Sequence, residues 1–117
     1  MTIHDKIHQM LLNEEDITDE NLSQYDDSGM SGWHYAARGV YFKKIPDNVF
    51  TSDALNLIEK RHGRSVWHLA AIHDNLKFIP RRLFTNDIKA DNKGETFLHY
   101  AASRGILKDI PPYIFTE

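Results

Sequence analysis

The feature that most constrains this chain is a unit written three times. "GMSGWHYAARGVYFKKIPDNVFT" from Gly29, "GRSVWHLAAIHDNLKFIPRRLFT" from Gly63 and "GETFLHYAASRGILKDIPPYIFT" from Gly94 align without a gap. Each has a His five residues after its Gly (His34, His68, His99), then an Ala-Ala pair at 36–37, 70–71 or 101–102. Ile-Pro follows, with Pro46, Pro80 and Pro111 each twelve residues past the His, and Phe-Thr closes the unit. The histidines are 34 and 31 residues apart, and length varies only between the Thr and the next Gly, where a loop absorbs it. A fixed period of this size marks stacked units that cannot bury their apolar faces alone. A partial copy precedes them. "ITDENL" at 17–22 matches "FTSDAL" at 50–55, and Ile3, Ile7, Met10 and Leu11 fall on one face of a preceding helix.

The recurring residue types have physical roles. Ser31, Ser65 and Thr96 stand just before an apolar helical stretch and are suited to cap it. Gly29, Gly63 and Gly94 lie in polar turns that call for positive φ. The Ala-Ala pairs let neighbouring helices approach closely, and Trp33, Trp67 and Leu98 supply buried mass beside them. Phe42, Leu76 and Leu107, then Ile45, Ile79 and Ile110, then Val49-Phe50, Leu83-Phe84 and Ile114-Phe115 give a second apolar stripe. Proline suits a first helical turn, so a short second helix is predicted to start at Pro46, Pro80 and Pro111, with Thr51 or Thr85 capping one turn more. In the last unit Ile110, Ile114 and Phe115 are expected to face outward, so a second copy of the chain or a partner would cover that end as a homodimer or complex.

A period near 33 with the pattern G-x-T-x-L-H-x-A-A resembles the ankyrin repeat, most closely in "GETFLHYAASRG". The tail "IP…FT" resembles a subtype associated with bacterial ankyrin proteins. The resemblance spans about residues 17–117. It departs at the family's Thr-Pro, which here is Ser31-Gly32, Ser65-Val66 and Thr96-Phe97. It departs again between the helices, where Gly105 is matched by Gly39 in one copy and by Asp74-Asn75 in another. The resemblance implies an all-α, ankyrin-like α-solenoid: a cap at 1–28 and repeats at 29–62, 63–93 and 94–117. It implies that His34, His68 and His99 are structural residues tying adjacent turns together. It also implies a concave recognition surface. Its turn tips are Asp27, Ser28 and Met30, then Arg61, His62 and Arg64, then Asn92, Lys93 and Glu95. Its helix ends are Arg38 and Gly39, Ile72 and His73, and Ser103 and Arg104.

Other chemistries find little support. His4 and His8 at i, i+4 lack a third ligand, and the acids between Glu14 and Asp27 lack the order of a calcium loop, so no metal and no cofactor is expected. Phosphate-loop, nucleophile-elbow and H-E-x-x-H motifs are missing, and no enzyme activity is expected. Lys60, Arg61, Arg64, Lys77, Arg81, Arg82, Lys89 and Lys93 do not share one face, and the net charge is −3, so nucleic acid is not expected as a partner. No apolar run approaches a membrane span, no signal peptide is evident and cysteine is absent, which fits a cytoplasmic protein, or one exported into a host cell by a non-classical route.

Charge is asymmetric: residues 1–37 hold eight acids against Lys6, while 38–117 hold thirteen bases against nine acids. The expected function is protein binding through the concave face, to a partner with an acidic patch that meets the basic turn "KRHGR". The alternative is a stand-alone inhibitor of immunity or anti-defence type that covers an enzyme's site.

Overall fold

The computed structural model describes residues 3–13, 15, 17–39, 42–85 and 88–115. Its regular elements are helical. They are α1 (Ile3–Asn13), α2 (Asp19–Leu22), α3 (Gly32–Arg38), α4 (Ser52–Leu55), α5 (Val66–Ile72) and α6 (Phe97–Ser103), with short 3-10 turns between them. No strand forms among the described residues; single antiparallel bridges, Tyr25 to Ser31 and Ile58 to Ser65, close two of the turns. The helices pack in chain order, α1 and α2 on α3, α3 on α5, and α5 on α6, in a body measuring 45 × 27 × 22 Å.

The helices α3, α5 and α6 each begin on a Ser or Thr and a His that serve one another. Ser31 Oγ accepts from the His34 N–H, and His34 Nδ1 accepts from the Ser31 N–H at 3.0 Å. Ser65 and His68 repeat this, with the Ser65 N–H to Nδ1 at 2.9 Å. Thr96 N–H likewise donates to His99 Nδ1 at 2.9 Å. With Nδ1 accepting, Nε2 carries the proton and is free to donate. His34 Nε2 donates to the Leu57 carbonyl at 2.9 Å and His68 Nε2 to the Glu95 carbonyl at 2.8 Å, each in the segment that leads into the next long helix. The imidazole therefore ties successive turns together, as the resemblance implies. His99 is exposed.

The interior lies between the helices. Trp33, Ala37, Phe42, Leu55, Val66, Ala70, Ala71, Leu76 and Ala101 show no exposure at all. These alanines are fully buried on α3, α5 and α6, helices that pack on one another. Ala70→Leu is expected to destabilise by about 1–3 kcal/mol through overpacking. A urea midpoint equal to that of the wild type would show slack at this contact.

The second apolar stripe does not form an α-helix starting at proline. Two 3-10 turns flank each Ile-Pro: Phe42–Lys44 and Asp47–Val49, Leu76–Phe78 and Arg81–Leu83, Leu107–Asp109 and Pro112–Phe115. The cause is the residue before proline, which proline's ring drives out of the helical region. Ile79 has φ −81 and ψ 129, Ile110 has φ −101 and ψ 131, and Pro46 and Pro80 are themselves extended. The break still buries the intended side chains, since Ile45, Ile79 and Ile110 are all under 5% exposed. It also frees carbonyls that the next unit captures. Arg82 Nη2 donates to the Asp47 carbonyl at 2.9 Å, and Tyr113 Oη donates to the carbonyls of Arg81 and Phe84, both at 3.0 Å.

Thr51 caps α4 through the Ala54 N–H, and Thr18 caps α2 in the same way. Beyond Thr85, residues 86 and 87 lie outside the described ones. α6 ends in a left-handed Gly105 at φ +71, with Gly105 and Ile106 N–H groups returning to Ala102 and Ala101. α5 ends identically with Asp74 at φ +61, so Asp-Asn does replace glycine in that turn. The Asn75 side chain then donates to the carbonyls of Ala37 and Gly39, at 2.8 and 3.1 Å, closing the open end of α3 from the neighbouring unit.

The expectation of an apolar C-terminal face needs correction. Ile110 and Ile114 are 3% and 7% exposed, packed inward within their own unit. The exposed large apolar side chains of this unit are Leu107 and Tyr113. The Phe115 side chain lies outside the described residues. Ile110 and Ile114 therefore give no ground for a homodimer through this end.

Candidate functional site

The turns before α3, α5 and α6 are each built on one carboxylate. Asp26 Oδ1 accepts from the N–H groups of Ser28 and Met30, and Asp91 Oδ1 from those of Lys93 and Glu95. Tyr35 and Tyr100, equivalent positions in the following helices, donate their hydroxyls to the other oxygen of each. Burial alone would raise the Asp26 pKa, but these hydrogen bonds hold it down to about 2.

The middle turn differs. Its carboxylate is Glu59, one residue further from the glycine, so the tip "EKRHGR" is a residue longer than its neighbours. Glu59 takes three backbone N–H groups, from Arg61, His62 and Arg64, at 2.8–3.0 Å. They outweigh its burial and keep its pKa below the ordinary value. The longer acid and its third backbone donor replace the tyrosine hydroxyl, because the helix position is here Leu69.

Successive tips are hydrogen-bonded to one another. Lys60 N–H donates to the Gly29 carbonyl at 3.1 Å, and Asn92 N–H to the His62 carbonyl at 3.0 Å. The tips approach closely enough that a β-carbon on Gly63 would lie 2.3 Å from Asn92 Oδ1, in a residue whose φ is already +69. The positive φ is what favours glycine there, since the exposed Asn92 side chain can swing aside.

Between the first two tips and the helices behind them lies a groove of about 400 Å³. Eight of the fifteen residues expected at a binding surface line it: Ser28, Met30, Arg38, Arg61, His62, Arg64, Ile72 and His73. Tyr35, Glu59 and Leu69 complete the wall. Met30, Leu69 and Ile72 are its apolar members. Arg38, Arg61, His62 and His73 are exposed. Partial desolvation, and after it the charges of Arg38, Arg104 and Arg64, lower the pKa of His73. Arg104 thus acts on the groove's field although it does not line it.

The other expected residues do not line the groove. Asp27 is exposed beside the first tip, and Ser103 and Arg104 are exposed at the end of α6. Asn92, Lys93 and Glu95 belong to the third tip, where the Asn92 and Lys93 N–H groups and the Glu95 N–H and carbonyl are all engaged within the protein.

Arg64 also departs from expectation. It is not a free tip residue: Nε lies 3.8 Å from Asp91 Oδ2, Nη2 donates to Tyr100 Oη at 3.4 Å, and the guanidinium stands 5.4 Å from the Tyr100 ring centre. Its side chain is 23% exposed. A charge reversal at both arginines would not leave stability untouched. Arg61→Glu is expected to stay within about 0.5 kcal/mol of the wild type, while Arg64→Glu, facing Asp91, should lose about 1–3 kcal/mol. Thermal unfolding of the two single variants checks this; equal melting temperatures would contradict the Arg64–Asp91–Tyr100 contact.

Two residues that organise the site, Tyr35 and Glu59, escaped the sequence reading. The signal was there: a carboxylate precedes each glycine by three or four residues, and a Tyr follows two of the three histidines. Among the described residues no cluster of three His, Asp or Glu could hold a metal, and no helix is long and apolar enough to cross a membrane. The basic residues do not form one stripe, since Arg82 is turned to the carbonyls of Asp47 and Phe50. Neither protein-family models nor characterised proteins give a match to this chain.

Proposed function

We propose that the three units are ankyrin-type repeats in a short α-solenoid, and that the protein is a non-catalytic module binding a protein partner in the groove between the first two repeats. The observation that carries this is the composition of the groove: apolar Met30, Leu69 and Ile72 rimmed by exposed Arg38, Arg61, His62 and His73. An apolar floor with arginines at its edge is the make-up of protein-binding surfaces. The one carboxylate in the wall, Glu59, is committed to three backbone N–H groups and is not poised as a general base. The lack of cysteine fits work in the reducing cytoplasm.

A photo-crosslinking amino acid tests this reading. Placed at Ile72 in living cells, it should give a discrete crosslinked species; placed at exposed Lys108, outside the groove, it should not. Crosslinking from Lys108 alone, or from neither position, would count against the groove.

A further inference from the structure

The groove's charges say which kind of protein segment it would take. Arg38 stands at the end of α3, Arg61 and His62 in the middle tip, and His73 just past α5, so two arginines and two imidazoles from three separate segments meet around one apolar floor. The opposing charges are consumed. Glu59 is 3% exposed and bonded to three backbone N–H groups, and Asp26 is bonded to Ser28, Met30 and Tyr35. The described ion pairs are Arg64–Asp91 and Lys77–Asp74, which leaves Arg38 and Arg61 without a carboxylate among the described residues.

We infer that the groove selects an acidic peptide segment, one in which an apolar side chain is flanked by carboxylates. The inference rests on the protein-binding reading above and specifies its partner. The apolar side chain would cover Leu69 and Ile72, and the carboxylates would meet Arg38 and Arg61. A cavity of about 400 Å³ suits one or two side chains of an extended segment. A nucleic acid fits less well: its phosphates reward a line of cations and its bases an aromatic platform, whereas these cations ring an aliphatic floor and Tyr35 is tied to Asp26.

His73 would report the ligand's charge. It faces Arg38 from α3, Arg64 from the middle turn and Arg104 beyond α6, and together with partial desolvation they hold its proton affinity down. Carboxylates bound at Arg38 would cancel part of that field and let His73 take up a proton. Affinity should therefore rise as pH falls from about 8 to about 6.

A phage-displayed library of random peptides of roughly 16 residues, panned on the purified protein and counter-panned on Ile72→Asp, supplies the probe. Recovered peptides are synthesised with a fluorophore, and binding is read by polarisation against wild type and against Arg38→Ser/Arg61→Ser, whose exposed sites leave the fold intact by circular dichroism. The expected peptides are net negative around a Leu, Ile or Phe. Their Kd should rise about tenfold or more in the double variant and several-fold when salt goes from about 0.15 M to 0.5 M. Groove-dependent peptides that are neutral or basic would overturn the acidic partner and leave the binding reading standing. If no recovered peptide distinguishes wild type from Ile72→Asp, both fall. A single-stranded oligonucleotide that displaces the peptides and binds more tightly would overturn the inference in favour of nucleic acid.

Discussion

Trp33→Ala is expected to lose about 3–5 kcal/mol of stability, a large share of what a chain of this size has. The side chain shows no exposure, and its ring centre lies 5.2 Å from that of Phe50. Phe50 in turn packs edge-on to Phe42 at 5.3 Å, so the indole supports the aromatic centre of the first unit. Its Nε1–H donates to Asp19 Oδ1 at 2.9 Å, and the same carboxylate accepts from Ser23 Oγ and Thr51 Oγ1. Removing the ring thus opens a cavity and loosens α2 as well. Trp33→Phe separates the two effects: it keeps most of the volume and loses the hydrogen bond, and should cost about 1–2 kcal/mol. Urea unfolding by far-UV circular dichroism reads both. A loss under about 1 kcal/mol in the alanine variant would show that the first unit contributes little to the cooperative core.

Most of the fold was legible because the repeat wrote each role three times. One glycine in a polar turn is weak evidence; three in register, with the same Ser or Thr and the same His after them, define a turn-helix boundary. Gly29, Gly63 and Gly94 all take positive φ, and all three histidines bond the residue that opens their helix. The second element was misread for a definite physical reason. Proline was weighed for its own place in a helix, while the constraint that decides is the one it puts on the isoleucine before it. The apolar pattern is blind to the difference, since either backbone buries Ile45, Ile79 and Ile110.

The groove was legible in outline and not in its chemistry. Arg38, Ile72 and His73 were found from their position in the repeat, and position does not say which charges are already spent. Arg61 and Arg64 look alike in "KRHGR", yet one is exposed and the other is drawn onto Asp91 of the following turn and Tyr100 of α6. Ile110 and Ile114 show the same limit. Their outward or inward placement depends on a backbone break that hydrophobic pattern does not register.

The histidines that tie successive turns should make the protein acid-sensitive, and His34→Ala should show why. His34 has no exposure; Nδ1 accepts from Ser31 and Nε2 donates to the Leu57 carbonyl. Alanine would strand a buried N–H and a carbonyl and leave a cavity, at about 3 kcal/mol in all. His99→Ala, the same residue in an exposed setting, should cost under about 1 kcal/mol. Burial, despite the carbonyls of Leu57 and Glu95 that favour protonation, lowers the pKa of both His34 and His68. The unfolded chain takes up these protons near the ordinary value of about 6.5, the native state only at lower pH. Stability is therefore full above about 6.5 and falls as the pH drops from there through the native pKa values. Two histidines acting together set an upper limit of about 2.7 kcal/mol per pH unit on that slope. Protonation would also put a hydrogen on Nδ1, against the N–H of Ser31 or Ser65 that it accepts from. Equilibrium unfolding between about pH 7.5 and 5 should show stability falling towards acid in the wild type and falling less steeply in His34→Ala. A flat profile over that range would mean that neither imidazole is held neutral, and the tie between successive turns would have to be assigned to other contacts.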